Sequence, residues 1–397
     1  VIYLFIIKFS RINLSQNSIT IAKNSTRLIL FLQESLGGIR DIIIENAHKK
    51  FYQNFQDTDF KLQRAESDNL FIGQSPKYFM EAAGMVLIAL IAFYLTKSSA
   101  DVVQSIPILG VLALSAQRLL PLLQQMYFGY SSIKGVGKSL EDILVILRKF
   151  YHEMPDSKSV KKVSFSSSLE LNKISFRYPN SPRNVFTNLN LNINQGDCIG
   201  LIGDSGCGKS TLLDIIMGLL TPTSGEIIID GVTLEKKNMQ GWQSNIAHVP
   251  QSVFLINESI EKNIAFLYDE NEINSDLIKE VVERSQLSDF VFNSLKGIKT
   301  TVGEMGDKLS GGQKQRIGLA RAMYKKPSVF IFDESTSALD GKTEEKIIQL
   351  INSSYKGKTI IMVAHRSSTL KNCNKIYKLD NNKILDMGSY GEAFGIN

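Results

Sequence analysis

Residues 198–219 read CIGLIGDSGCGKSTLLDIIMGL, and their reading decides the fold of the C-terminal half. Cys198 to Gly203 is an apolar run of strand length, and a helical pattern follows it through Leu219. Between them Gly203 to Thr211, GDSGCGKST, has the spacing GxxxxGK[ST] of a phosphate-binding loop. Gly203, Gly206 and Gly208 let the successive N–H groups of Asp204, Ser205 and Cys207 turn inward, an anion nest at a helix N-terminus. Lys209 adds a mobile positive charge for β- and γ-phosphates, the Ser210 hydroxyl can ligate Mg²⁺, and Thr211 ends the motif. The competing reading is a glycine-rich turn. By itself the motif says nucleotide and not function.

Two more stretches extend this reading. Ser328 to Ser335 reads SVFIFDES, a buried strand with Asp333 and Glu334 at its C-terminal end, where open α/β sheets bind ligands. Asp333 is placed to hold Mg²⁺ and Glu334 to polarise an attacking water. About twenty residues earlier stands LSGGQKQR, Leu309 to Arg316. Its Ser310, Gly311 and Gly312 offer a hydroxyl and unhindered amides at a second helix start.

With Leu309, Ser310, Gly311, Gly312 and Gln313 in place, the chain resembles the ATP-binding cassette (ABC) transporters, whose signature is LSGGQ. That resemblance implies two nucleotide domains facing head to tail, the signature of each closing on the γ-phosphate held by the other. It also implies roles one residue at a time. Tyr178 in SFRYP matches the aromatic that stacks on adenine. Gln251 in HVPQSVF matches the glutamine that senses Mg²⁺ and the membrane helices. Asp340 in SALD matches the loop that communicates across the dimer, and His365 in VAHR matches the switch histidine at the γ-phosphate. TVGEMG, Thr301 to Gly306, resembles the exporter loop that precedes the signature, with Glu304 its acidic residue. Lys314 stands where arginine is common, and Ser335 where alanine is common.

Outward from this core the chain divides. It has 397 residues, 43% apolar and 21% charged, with 45 basic against 39 acidic side chains. This composition excludes a disordered chain, a collagen and a disulfide scaffold. Cys198, Cys207 and Cys373 lie far apart in sequence without a CxxC pair, which points to reduced thiols and to no zinc site. Tyr78 to Leu95 and Ile106 to Met126 are apolar with one charge each, Glu81 and Arg118, and each approaches the ~20 residues that cross a bilayer. A buried pair of core helices is the alternative. The lysines and arginines of residues 8–54 and 134–149 put both flanks in the cytoplasm and the turn, residues 96–105, outside. Those basic flanks account for the +6 net charge without nucleic acid as a partner. By rise per residue, Glu81 and Arg118 lie at depths that differ by ~5 Å, so they either pair or face a substrate path separately. Residues 10–75 read as long cytoplasmic helices with a bend at Gly37-Gly38.

The expected fold is an α-helical transmembrane domain over 1–155 followed by an α/β P-loop nucleotide-binding domain with a helical subdomain over 165–397. The resemblance to exporter half-transporters implies six spans. Only the last two are complete here, Val1–Phe9 being the tail of the fourth and the valine start marking a fragment. It places a coupling helix at Glu34 to Glu45, a second half-transporter as partner in a homodimer, and the assembly in the inner or plasma membrane. PKYFMEAAG and RLLP resemble exporters of lipids or lipid-linked saccharides. Peptide or protein export is the alternative cargo. Two other classes stay open: a soluble ABC ATPase of nucleic-acid maintenance or translation, and a fragment that only binds nucleotide.

Overall fold

The structure is a computed structural model and describes residues 2–98, 102–153, 163–179, 181–266, 268–334, 357–364 and 367–395. His365, Asp340 and Ser335 lie outside the described residues. The chain forms two compact units, Val1–Met154 and Pro155–Asn397.

The first unit is helical: α1 (Ile2–Gly37), α2 (Ile39–Ile44), α3 (His48–Ser98), α4 (Val102–Gly135) and α5 (Gly137–Glu153). The bend expected at Gly37-Gly38 is the break between α1 and α2, inside the 34–45 segment. Pro76 lies within α3 and has no N–H for the Ile72 carbonyl one turn earlier. The Tyr127 hydroxyl of α4, only 3% exposed, donates to that carbonyl at 3.1 Å and lies 3.3 Å from the Ser10 hydroxyl of α1. One buried phenol thus satisfies a proline-freed carbonyl and joins three helices. A Cβ at Gly73 would stand 3.2 Å from Ser131 Oγ, so the glycine sets the approach of α3 to α4. Asn17 Nδ2 donates to Asn69 Oδ1 at 2.9 Å between α1 and α3. Among the described residues one helix, His48–Tyr94 within α3, is long and apolar enough to cross a membrane. Glu81 accepts from Gln124 Nε2 at 3.5 Å, and among the described residues no ion pair joins it to Arg118.

The second unit has two sheets. β1 (Ser168–Phe176), β2 (Phe186–Asn194), β4 (Ser224–Ile229) and β5 (Val232–Thr233) form an antiparallel sheet in the order β2-β1-β4-β5. β3 (Cys198–Ile202), β6 (Ile246–Val249), β7 (Val329–Asp333), β8 (Thr359–Val363), β9 (Lys375–Asp380) and β10 (Lys383–Asp386) form the other, in the order β10-β9-β3-β8-β7-β6. All its pairings are parallel except the hairpin β9–β10. Its central strands are buried on both faces, which is why they read as continuous apolar runs.

Helices α6 (Lys209–Ile216), α7 (Met239–Gln243), α8 (Ile260–Ala265), α9 (Ser275–Arg284), α10 (Ser288–Phe292) and α11 (Gly311–Tyr324) complete the part that builds the site. The helix expected through Leu219 stops at Ile216. Gly218 turns at φ +69°, and a Cβ there would push the Met239 side chain aside.

Candidate nucleotide site

The phosphate loop joins β3 to α6 at the C-terminal edge of the parallel sheet. Gly203 has φ +150° and Gly208 φ +104°, conformations that disfavour a side chain. Space excludes one as well. A Cβ at Gly203 would meet the Leu379 carbonyl oxygen at 2.6 Å, and one at Gly208 would meet Val185 Cγ1 at 2.8 Å. Lys209 is only 8% exposed, and its ammonium donates to the carbonyls of Gly203 (2.8 Å) and Asp204 (2.9 Å). The cation is therefore held across the mouth of its own loop. Tyr178 packs edge-on against Phe176 with ring centroids 5.0 Å apart, and its hydroxyl lies 3.0 Å from Thr211 Oγ1. Its ring stays 41% exposed beside the start of α6, open to a flat partner.

The acidic pair comes from β7, two strands away. The Asp333 carboxyl lies near enough to the Ser210 side chain to feel it. Burial pushes its pKa up, helped by the Glu334 charge and opposed by His248, Ser210 and Lys209. Glu334 follows at φ +49°, its N–H donating to the Val363 carbonyl at 3.1 Å. Gln251 Nε2 donates to Glu334 Oε2 at 2.9 Å, joining the loop after β6 to the end of β7. Ser210, Asp333 and Gln251 supply the hard oxygen donors that suit Mg²⁺, and a cation there would offset the cost of an ionised, half-buried Asp333.

Two residues at this edge went unread in the sequence. His248 on β6 lies close enough to Asp214 of α6 and to Asp333 to feel both charges. Burial holds its pKa down, against the pull of the Asp333 and Asp214 charges, and among the described residues its buried Nε2 has no hydrogen-bond partner. Burial also raises the pKa of Asp214, with the Asp333 charge adding to it and His248 opposing. The acidic edge is thus broader than the DE pair, and only the strand order β7-β6 beside α6 reveals it.

The LSGGQ stretch begins α11. Ser310 caps the helix by accepting from the Gln313 N–H at 3.2 Å, and the Gln313 side chain accepts from the Ser310 N–H at 2.8 Å. This reciprocal capping box leaves Gly311 and Gly312 in the first turn. Leu309 packs against the core of the helical part. Lys314 Nζ donates to the Met305 carbonyl at 3.0 Å, tying TVGEMG to the signature helix. Gln315 Nε2 reaches the Gln251 carbonyl at 3.5 Å. Farther along α11 the Arg321 guanidinium lies 4.2 Å above the Phe266 ring and donates to the carbonyls of Asn263 and Phe254. Burial lowers its pKa to about 10. Tyr178, the phosphate loop, Asp333, Glu334 and Gln251 thus converge, and among the described residues no hydrogen bond brings the Ser310 end to that loop.

A glycine-rich loop between strand and helix, a carboxylate pair on a neighbouring strand and a capped LSGGQ helix together define a nucleotide-binding cassette. Residues 186–337, inside the C-terminal unit, match the family model of the ABC transporters. A lipid A-core flippase of Ralstonia nicotianae is 36% identical over 225 residues, 56% of this chain and 38% of the relative. ABC transporter B family member 14 of Arabidopsis thaliana is 30% identical over 376 residues, 92% of this chain and 29% of the relative. The chain spans roughly a third of the length of these curated relatives. A bacterial Atm1-family ABC exporter, solved with ATP bound, matches the fold with a TM-score of 0.87 at 22% identity, over 98% of this chain and 68% of that one. The structural similarity reaches through the helical unit, so the fold is that of an ABC exporter.

Proposed function

We propose that the chain supplies ATP-driven export or flipping as half of a dimer, most simply a homodimer, in the inner or plasma membrane with its ATPase domain in the cytoplasm. The observation that carries this reading is the hydrogen bond between Gln251 and Glu334 beside the Lys209 loop, because it couples the hydrolytic carboxylate to a second segment of the domain. On ATP arrival Lys209 exchanges the Gly203 and Asp204 carbonyls for β- and γ-phosphate oxygens, while Tyr178 stacks on adenine. Mg²⁺, when bound, neutralises phosphate charge, and Ser210, Asp333 and Gln251 would hold it. Glu334 takes the proton of the attacking water once its carboxylate is turned to the γ-phosphate. Ser310, Gly311 and Gly312 of the second copy close the site, and His365 and Asp340 carry the switch and communication roles of their motifs. ATP favours the closed pair, and that differential affinity drives the helical unit between two states. The 78–95 and 106–126 spans cross the bilayer, and 34–45 couples them to the ATPase domain.

The cargo we propose is a lipid or lipid-linked saccharide. The kinship with a lipid A-core flippase supports it. The full chain reconstituted in lipid vesicles tests the reading through its ATP turnover. Stimulation by a lipid-linked saccharide or a phospholipid supports it. Stimulation by peptides alone transfers it to peptide export, and ATP turnover that needs no membrane removes it.

A further inference from the structure

We propose that Cys198 and Cys373 form an oxidation site of the ATPase domain, a thiol pair that a peroxide converts reversibly to a disulfide. The two residues are 175 positions apart, yet their sulfurs lie 3.3 Å from each other. Strand order makes the meeting: β3 lies between β8 and β9, and Cys373 stands two residues before β9 starts. The backbones are already registered around them. The Cys198 N–H donates to Asn374 Oδ1 at 2.7 Å, and the Asn374 N–H donates to the Cys198 carbonyl at 2.9 Å. Asn374 Nδ2 and Lys375 Nζ are both anchored on Asp197, at 3.0 and 2.9 Å. Four consecutive contacts therefore hold the two chain segments side by side, and the sulfurs need to close by only ~1.3 Å to reach bonding distance.

The two thiols differ in a way that assigns the steps. Cys198 is half-buried and open to a small oxidant, whereas Cys373 is 5% exposed. The contact between the two thiols lowers the Cys198 pKa, and the same contact with burial raises that of Cys373. Cys198 is the attacking thiolate. Its sulfur takes one oxygen of the peroxide as the O–O bond breaks, giving a sulfenic acid, and the departing hydroxide takes up the proton released by the Cys198 thiol and leaves as water. Cys373 then attacks the Cys198 sulfur. Its proton goes to the displaced oxygen, the S–O bond breaks, and a second water leaves. Each sulfur gives up one electron and the peroxide takes two.

The bond would close a loop that holds the phosphate loop, Gln251, the signature and the Asp333–Glu334 pair. It sits at the opposite end of β3 from Gly203, so it clamps the sheet without entering the nucleotide site. Cys207 inside the phosphate loop provides the contrast, because its oxidation would block ATP.

The test uses the full chain in detergent or lipid, treated with hydrogen peroxide and digested without reduction for peptide mass mapping. The expected product is a Cys198–Cys373 linked peptide that dithiothreitol removes, in protein that still binds ATP with unchanged affinity. The Cys373→Ser variant should stop at a Cys198 sulfenic acid, trapped by dimedone. The mapping of the unmodified chain stands even where that variant does not fold. Absence of the linked peptide while Cys207 is oxidised, or its formation only in urea, overturns the proposal. So does a loss of ATP affinity that follows the linked peptide.

Discussion

Gln251 and Glu334 meet through a 2.9 Å hydrogen bond across 83 residues of sequence. Each comes from the C-terminal end of a parallel strand, β6 and β7, and the register of those strands (Val249 beside Phe332) brings them level. Glu334 holds a left-handed backbone at φ +49°, a conformation that costs a non-glycine residue about 1–2 kcal/mol. Surrounding structure pins it there through the Val363 carbonyl. A strained carboxylate held by the amide of another loop is the arrangement expected of a switchable base.

Lys209→Ala removes the ammonium that bridges the Gly203 and Asp204 carbonyls. Loss of charge-assisted bonds of about 1.5–3 kcal/mol predicts ATP affinity lower by on the order of 10–100-fold. Fluorescence titration with a nucleotide analogue reads this directly. Unchanged affinity would remove the phosphate-loop assignment.

Gly203→Ala and Gly206→Ala separate backbone strain from crowding. Both glycines have positive φ, but a Cβ at Gly206 meets nothing within 4 Å, whereas at Gly203 it meets the Leu379 carbonyl oxygen at 2.6 Å. Gly206→Ala should cost about 1–2 kcal/mol, a melting shift of a few degrees, and Gly203→Ala clearly more. Equal melting temperatures for the two variants would contradict the packing described.

Cys207 lies in the phosphate loop and is half-buried. A maleimide should therefore block ATP binding, and prior ATP should protect the thiol. Peptide mapping of the alkylated residue checks both. Labelling of Cys207 at the same rate with and without ATP would count against this geometry.

Asp230 gives a pH dependence. Burial alone would raise its pKa, but the Ser166 hydroxyl and the N–H groups of Ser166, Ser167 and Ser168 donate to it, at 2.7–3.0 Å, and the net shift is downward. A folded pKa below the unfolded value of about 3.9 means stability that is full above pH ~4 and lost as pH falls through the folded value. The unfolding midpoint should drop between about pH 5 and pH 3, the range in which carboxylates titrate, by less in Asp230→Asn than in the unchanged chain. An equal drop in both would assign the acid loss to other groups.

Where chemistry and backbone demand fall on adjacent residues, the sequence was readable: Gly203, Gly208, Lys209 and Ser210 are one short stretch. Ser210 and Asp333 each read as a Mg²⁺ ligand from its own motif. Other relationships depend on strand order. Cys198 and Cys373 look distant until β9 is laid beside β3, and His248 looks like an ordinary strand residue until β6 is laid beside β7. The end of α6 was hidden because Leu219 and Leu220 continue the apolar pattern, while the left-handed backbone of Gly218 ends the helix. The Ser310–Gln313 capping box was legible as S-x-x-Q, but its catalytic company drew the reading elsewhere.

The most direct measurement is steady-state ATP turnover of the Glu334→Gln variant in lipid, alongside its ATP affinity. Loss of a general base predicts turnover lower by about 10²–10⁴-fold with affinity retained. Turnover close to that of the unchanged chain would contradict the role of Glu334 and, with it, the meaning of its bond to Gln251.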